Sequence, residues 1–410
     1  MKLLYNIALH TTEVLLKILG LFNDKIKAGV LGRGDTFKLL ASKIKLEDKT
    51  LWFHCASLGE YEQGLPIFKK LRADYPNHKI VLSFFSPSGY EIRKNTAVAD
   101  VVVYLPMDTS SNAKRFVTLL KPELTIFVKY EVWPNYMNAL KQYNLRTILI
   151  SAVFRADQPY FKFYGGIMRD ALGSFDHIFV QHEASQSLLN SIGFTKVTVA
   201  GDTRYDRVSD QLLQDNTLTF IEQFKADQLC IVVGSSWPED ESLFIEYLNK
   251  SQVNLKVIIA PHNIKDPQIA HLKSQLKKKT VLFSEKDGHQ LADYELLIID
   301  TIGLLSKIYS YADIAYVGGA MGSTGLHNIL EPAVFGAPII IGKNYTKFPE
   351  AFQMIAHGGV QAIENGYDLQ LALNTLINNS EKRARLGTLN ADFIKTHQGA
   401  VIQIMDYIRK

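Results

Sequence analysis

Residues 3–22, LLYNIALHTTEVLLKILGLF, are mostly apolar, but Asn6, His10, Glu13 and Lys17 interrupt them at steps of four, three and four. That spacing gathers the polar groups on one face of a helix and leaves Leu4, Ile7, Ala8, Leu15, Ile18, Leu19 and Phe22 on the other. The stretch is long enough to span a bilayer, yet its polar face predicts an interfacial helix. The other reading is a helix packed on the protein's own domain. Glu13 and Lys17 inside the apolar run, with no small-residue cleavage site after it, argue against an export signal.

From Leu51 onward the pattern changes to short β-branched or aromatic runs separated by helical segments, as in parallel sheets with crossover helices. Strands are predicted at 51–56, 79–86, 101–105, 124–129, 146–152, 177–181 and 197–201. A second series follows at 229–234, 256–260, 280–284, 295–299, 313–317 and 338–342. Residues 206–228 are polar and lack strand character, which places the connection between two domains near 203–225. The predicted organisation is a basic, membrane-associating segment over 1–48 and a first α/β domain over 49–205. A linker over 206–225, a second α/β domain over 226–395 and a closing helix over 396–410, able to return to the first domain, complete it. Two doubly wound, Rossmann-like sheets facing one another make a cleft, and ligands in such sheets bind beyond the carboxyl ends of the strands.

Composition adds two constraints. The net charge of +4 resides in the first fifty residues, which hold nine of the 45 Lys and Arg but five of the 41 Asp and Glu, leaving 36 of each elsewhere. That argues against a nucleic-acid groove and for a device that meets an anionic surface, where Lys25, Lys27, Arg33, Lys38, Lys43 and Lys45 would each contribute about 1 kcal/mol. The two cysteines, Cys55 and Cys230, lie in strand-like runs without metal-type spacing and read as buried thiols of a reducing compartment.

Candidate chemistry sits in the strand-to-helix loops. Glu60 follows the first strand in Ser57-Leu58-Gly59-Glu60, and Pro66 limits how the next helix starts, so Glu60 lies at or near a helix N-terminus. Backbone donors there suit a carboxylate that accepts a proton from a sugar hydroxyl, and equally suit a helix cap. Lys129 and Glu131 flank Tyr130 ahead of Trp133-Pro134, either as cleft groups or as a local ion pair. Arg204, in Gly201-Asp202-Thr203-Arg204-Tyr205-Asp206, reads as an anion contact or a hinge salt bridge. Ser235 and Ser236 form an anion-binding turn or a cap. Residues 317–342 read as strand, glycine-rich loop, helix from His327 or Asn328, and strand. There Gly318, Gly319, Gly322 and Gly325 admit a ligand to the backbone and Glu331 holds ribose hydroxyls, or the loop is structural. It has neither the GxGxxG spacing nor a Walker lysine.

Taken in order, these pieces resemble the 3-deoxy-D-manno-octulosonic acid (Kdo) transferases of lipopolysaccharide synthesis, which have the two-domain GT-B fold. The family's Ser-Val-Gly-Glu is similar to Ser57 through Glu60, its Glu-x-Glu-Leu-Trp-Pro to Lys129 through Pro134, and its Gly-x-x-Lys-x-Asp to Gly201 through Asp206. Its Ala-Pro-Arg-His resembles Ala260-Pro261-His262-Asn263, its Asp-Thr-Met-Gly resembles Asp300-Thr301-Ile302-Gly303, and its Gly-Gly-His-Asn-Pro-Leu-Glu resembles Gly325 through Glu331. Three positions depart: Lys129 stands for the family's first glutamate, His262 for a CMP-binding arginine, and Ser151-Ala152-Val153 for Asn-Ala-Arg, with Arg155 nearby.

The resemblance implies CMP-Kdo as donor substrate, a lipid A precursor (lipid IVA) as acceptor, inversion at the anomeric carbon, and neither cofactor nor metal. It makes Glu60 the base, with Arg204, Glu131 and Lys129 as the other catalytic positions and Ser57 and Gly59 on the acceptor side. The donor's CMP falls to Pro261, His262, Ile302, Gly303, Leu304, Asn328, Ile329, Leu330 and Glu331, with Ser235, Ser236, Gly318 and Gly319. The expected partners are CMP-Kdo, the lipid A precursor and an anionic membrane surface, with no nucleic acid, at the cytoplasmic face of the bacterial inner membrane. The competing readings are another sugar-nucleotide enzyme (a lipid A disaccharide synthase or a nucleotide-sugar epimerase) and a non-catalytic nucleotide- or lipid-binding protein of the membrane surface.

Overall fold

The computed structural model describes residues 2–410, including every side chain among them except those of Lys2 and Lys25. Two compact units form, Met1–Arg207 with Gln398–Lys410, and Val208–His397. The first unit contains strands β1 (Thr50–Cys55), β2 (Lys79–Phe84), β3 (Val101–Tyr104), β4 (Leu124–Val128), β5 (Thr147–Ala152), β6 (His177–Val180) and β7 (Val197–Val199). They pair in parallel in the order β3-β2-β1-β4-β5-β6-β7. The second unit holds β8 (Cys230–Ser236), β9 (Lys256–Pro261), β10 (Thr280–Leu282), β11 (Leu296–Ile298), β12 (Ile314–Val317), β13 (Ile339–Gly342) and β14 (Val360–Ile363). Their order is β10-β11-β9-β8-β12-β13-β14, again parallel.

Thirteen of these strands fall where the β-branched runs predict them, because strands covered on both faces read as unbroken apolar stretches. The sequence reading missed β14. It is a four-residue edge strand, VQAI, whose Gln361 is exposed, so it has neither length nor an apolar run to announce it. Residues 206–225 are largely structured. A helix spans Thr203–Ser209, another spans Thr219–Lys225, and Ile221 and Phe224 of the latter are buried in the second unit.

Helix Ala400–Arg409 buries Val401, Ile404, Met405 and Ile408 in the core of the first unit beside Phe53 and Ile126. Its ends are tied there too. Asp206 accepts from the Gly399 and Val401 N–H groups, and Arg146 donates to the carbonyls of Tyr407 and Ile408.

Helix α1 (Lys2–Leu19) docks on the first unit through its polar face. Tyr5 donates its hydroxyl to Asp108 (2.7 Å), and Asn6 accepts from the side chain of Asn135 (2.9 Å). The apolar face points outward: Leu3, Leu4, Ile7, Val14, Leu15, Ile18 and Leu19 are exposed, and Leu21 and Phe22 beyond the helix are 78% and 84% exposed. No described helix is long and apolar enough to cross a membrane. Helix α2 (Asp24–Lys43) packs Leu40 into the core, and its Thr36 hydroxyl donates to the Tyr104 carbonyl of β3. Arg33 does not face outward as the charge pattern suggested. It lies over the Phe85 ring (4.4 Å) and donates to the Phe85 carbonyl, the planar guanidinium being easier to desolvate than an ammonium. The expectation for the Lys25 side chain lies outside the described residues.

Asp108 is the anchor of this arrangement. Besides Tyr5, its carboxylate accepts from the Asn135 and Tyr136 N–H groups (3.0 and 2.9 Å) at the start of helix Pro134–Gln142. Asp108→Ala is expected to lower unfolding free energy by about 1–3 kcal/mol, since two buried donors lose their acceptor. It should also open α1 to proteolysis. Tyr5→Phe removes one bond and should cost about 1 kcal/mol. Urea denaturation with limited proteolysis checks both, and a stable, protease-resistant Asp108→Ala protein would contradict the assignment.

Candidate active site

In a doubly wound sheet the loops diverge where the strand order reverses, leaving a crevice at the carboxyl ends of the two central strands. Those strands are β1 and β4 in the first unit and β8 and β12 in the second. Ser57 to Glu60 and Lys129 to Glu131 follow β1 and β4, Ser235 and Ser236 end β8, and Gly318, Gly319 and Asn328 to Glu331 follow β12, whereas Arg204 follows β7, Pro261 and His262 lie at the end of β9, and Ile302 to Leu304 follow β11.

Ser57 ends the loop after β1 in extended conformation, and α3 (Leu58–Asp74) starts directly behind it, with Glu60 in its first turn. Pro66 does not mark the helix start as its sequence position suggested. It sits in the third turn, where it forgoes an N–H bond to the Glu62 carbonyl that an ordinary helix would make. The start is specified instead by a reciprocal cap, in which one oxygen of Glu60, Oε2, accepts from the N–H groups of Ala56 and of Ser57 (3.2 Å). Gly59 leaves its flank open, the nearest atom to a Cβ there being the Ser57 hydroxyl at 4.0 Å.

Glu60 is only 8% exposed. Burial, reinforced by the charge of Glu131, raises its carboxyl from the usual 4.5 to about 7, against the opposing pull of the two backbone donors and of Lys129. Such a group is poised between acid and base at neutral pH. Glu131 is held after β4, where its Oε2 accepts from the indole of Trp133 (2.7 Å) and lies 3.2 Å from Nε2 of the fully buried His54.

Lys129 has a φ of 69°, the left-handed region that few side chains adopt, and its ammonium lies 5.0 Å from the Tyr130 ring centre. Arg155 approaches the same tyrosine, donating to its hydroxyl at 3.3 Å. Lys129 and Glu131 are therefore turned to different partners. Arg204 carries an ion pair within the first unit, its guanidinium meeting Asp202 at 2.7 and 2.8 Å. Ser151, also in the left-handed region (φ 53°), joins Thr203 by a hydroxyl pair at 2.9 Å, and Thr203 donates to the Gln63 carbonyl of α3.

In the second unit Asp240, overlooked in the sequence reading, organises the crevice. Completely buried, it accepts from the Trp237 N–H after β8, the Gly319 N–H after β12 and the Tyr316 hydroxyl, at 2.7–2.9 Å. Neither serine caps the helix Pro238–Lys250. Ser235 takes a left-handed φ of 53°, and Ser236 donates to Glu241. Gly318 and Gly319 answer to the protein's own backbone, since a Cβ would lie 2.5 Å from the Ser235 carbonyl in the first case and 2.1 Å from that of Gly325 in the second.

His262, after β9, stacks on Trp237 (4.5 Å, 18°), whose indole N–H donates to His327 (3.1 Å). Burial lowers both imidazoles, His327 to about 4, so the stack is neutral at physiological pH. A cavity of about 430 Å³ opens beside it, lined by Ser236, Trp237, Glu241, Pro261 and Asn263 among others.

The helix expected from His327 or Asn328 begins at Leu330 and has five residues, Leu330–Val334, because Asn328 folds back to accept from the Leu330 N–H. Ile329 precedes it, and Glu331 accepts from Asn328 (3.1 Å) and from Ser306 (3.4 Å). Ile302, Gly303 and Leu304 follow β11 in a loop where Ile302 is 84% exposed and Gly303 has a φ of 95°. The interactions of Trp133, His54 and Asp240 had no sequence signal beyond a Trp before a proline, a polar residue in a strand and an acidic helix start.

A raised carboxyl makes a prediction about stability. The folded protein holds the Glu60 proton to higher pH than the unfolded chain, so this group's contribution to stability falls as pH rises from 4.5 to about 7. Glu60→Gln removes that penalty while keeping an acceptor for the cap. The variant should gain up to ~3 kcal/mol over the wild type at pH 8 and little at pH 4.5. Urea titrations at the two pH values check this, and an equal difference at both would contradict it.

The family model described as 3-deoxy-D-manno-octulosonic-acid transferase (kdotransferase) matches residues 33–207. The 3-deoxy-D-manno-octulosonic acid transferase of Haemophilus influenzae is 29% identical over 375 residues, 88% of this chain and 86% of that protein. Among solved structures, UDP-GlcNAc 2-epimerase from Neisseria meningitidis aligns with a TM-score of 0.62 at 16% identity, over 88% of this chain and all of its own. MurG from Acinetobacter baumannii aligns with a TM-score of 0.57 at 12% identity, over 88% of this chain and 99% of its own. These two likenesses concern the fold, which is of GT-B type. The sequence match is of another kind: the span of the family model includes Glu60, Glu131 and Arg204, and the chain is similar over most of its length to a Kdo transferase.

Proposed function

We propose that this protein transfers Kdo from CMP-Kdo to a lipid A precursor, lipid IVA, in lipopolysaccharide synthesis, with inversion and with Glu60 as general base. The observation that carries the reading is the state of Glu60: a buried carboxylate at a helix start, one oxygen held by Ala56 and Ser57, and a carboxyl raised to about 7. One oxygen is thereby fixed by backbone and the other is left to meet an acceptor hydroxyl. As that hydroxyl's oxygen bonds to the anomeric carbon, its proton passes to Glu60, and the bond to the CMP phosphate breaks with its electron pair leaving on the phosphate. Inversion follows from a single displacement.

On the donor side, Pro261, His262, residues 302–304 and residues 328–331 are the positions that would hold CMP, with Ser235, Ser236, Gly318 and Gly319 shaping the turns beside them. His262 contributes a neutral ring there rather than the positive charge of the family's arginine. Arg204 supports the departing phosphate in this reading, at the cost of loosening its pair with Asp202. The outward apolar face of α1, with the basic residues that follow, supports residence on the cytoplasmic face of the inner membrane, the helix lying in the headgroup region.

Incubation with CMP-Kdo and a tetraacylated lipid A precursor, read by mass, should give Kdo addition. Glu60→Gln should reduce the rate by about a hundredfold or more. Stabilisation by UDP-sugars and not by CMP, or near-normal transfer by Glu60→Gln, would overturn the reading. For the membrane, paired Leu15→Asp and Ile18→Asp changes on the exposed face should abolish co-flotation with anionic vesicles while leaving the melting temperature unchanged; undiminished flotation would remove α1 from that role.

A further inference from the structure

His54 and Ser83 lie under the site and take no part in the chemistry above. Both are fully buried, on β1 and β2. An imidazole in an apolar interior is tolerated only when both ring nitrogens have partners. Nδ1 of His54 lies 2.9 Å from the Ser83 hydroxyl, and Nε2 lies 3.2 Å from Glu131 Oε2. The indole of Trp52 donates to the same serine oxygen at 2.8 Å, and the indole of Trp133 donates to Glu131 Oε2 at 2.7 Å.

The Trp133 N–H also lies 3.2 Å from His54 Nε2, but its nearer acceptor is Glu131 Oε2 at 2.7 Å, and we assign the proton arrangement from the shortest contacts. Ser83 accepts from Trp52 and gives its own hydrogen to Nδ1, the far shorter of its two acceptors, the other being the Phe53 carbonyl at 3.4 Å. His54 then carries its proton on Nε2 and donates it to Glu131. Every donor in the chain Trp52, Ser83, His54 points the same way, and the chain ends with Trp133 on a single oxygen of one carboxylate.

We propose that His54 is a positioning residue for the reaction: its Nε2–H, oriented from below by Ser83 and Trp52, holds the Glu131 carboxylate in place beside Glu60 so that the two acids work as a pair. The proposal rests on the reading of Glu60 as base. The groups that face the pair are few. Lys129 comes from the end of β4, Cys55 from β1, Glu62 from α3, and Tyr160 from the turn Pro159–Phe161, its hydroxyl sensing the Glu131 charge. After burial, the Glu131 charge is what pushes Glu60 upward, so displacing it lowers the pH at which Glu60 becomes a base.

The test is the pH dependence of kcat/KM for Kdo transfer in five proteins: wild type, His54→Leu, His54→Gln, Glu131→Gln and the double variant His54→Leu with Glu131→Gln. The wild type should show a rising limb near the Glu60 value of about 7. His54→Leu should lower kcat about tenfold or more with little change in KM. It should also move the limb down by about half a unit or more. His54→Gln, which can still donate to Glu131, should restore most of both. In the Glu131→Gln background, His54→Leu should move the limb no further.

A wild-type limb in His54→Leu, or shifts that add in the double variant, would overturn the proposal. Should His54→Leu fail to fold, Ser83→Ala gives the same readout through loss of the Nδ1 partner, a smaller downward shift supporting the proposal and an unmoved limb refuting it. Retained transfer in Glu60→Gln would instead strike the underlying reading. An inactive Glu60→Gln with an unmoved limb in the His54 and Ser83 variants strikes only the positioning role.

Discussion

A parallel sheet ends all its strands on one edge, and the turns there present N–H groups that no neighbouring strand can satisfy. In this protein buried carboxylates meet that demand. Glu60 accepts from Ala56 and Ser57, Asp108 from Asn135 and Tyr136, and Asp240 from Trp237 and Gly319. Each is withdrawn from water, and in each the loss of solvation outweighs the donors, so all three carboxyls lie above the ordinary range. An apolar side chain could not replace any of them without stranding two backbone donors. The fold thus carries acids at its carboxyl edge for structural reasons before any chemistry is asked of them.

What separates Glu60 from the other two is how its remaining capacity is used. Asp108 also accepts from the Tyr5 hydroxyl and Asp240 from that of Tyr316, so in both of these carboxylates each oxygen has a donor. Glu60, among the described residues, accepts only backbone bonds, and its neighbour is a second acid. A structural cap gains nothing from a like charge beside it. A proton acceptor does, because the repulsion raises its basicity toward neutral pH. Lys129 tempers that effect from the other side, and its left-handed backbone is the kind of strain that survives where the surroundings impose it.

Thirteen strands were legible because each is an apolar run between turn-formers, whereas β14 was hidden by its polar edge position. Glu60 was legible through its spacing from Ser57 and its glycine. His54 was not, since a histidine in TLWFHC reads the same whether it fills space or orients a carboxylate, and only the partner at each nitrogen distinguishes the two. Asp240 was lost among Glu239 and Glu241 for a similar reason. Burial singles it out, and burial depends on β12, nearly eighty residues away in sequence. In the glycine loop, Gly318 and Gly319 are required by neighbouring carbonyls in any case, so their presence alone does not distinguish a ligand loop from a structural one.

The N-terminal helix shows what a periodicity can and cannot decide. Spacing separates two faces but does not say which one meets the protein. The usual answer, apolar inward, is reversed here because the polar face has specific partners, Tyr5 with Asp108 and Asn6 with Asn135. Leaving so many large apolar side chains in water forgoes roughly 25 cal/mol for every Å² that another apolar medium could cover. The docking also has a mechanical consequence. Asp108 that holds Tyr5 also caps Pro134–Gln142, and the residue just before that helix, Trp133, donates to Glu131. From α1 to Glu131 the path therefore runs through hydrogen bonds of 2.7–3.0 Å, partly or fully buried, and one helix start, so the seating of α1 is tied to the placement of Glu131.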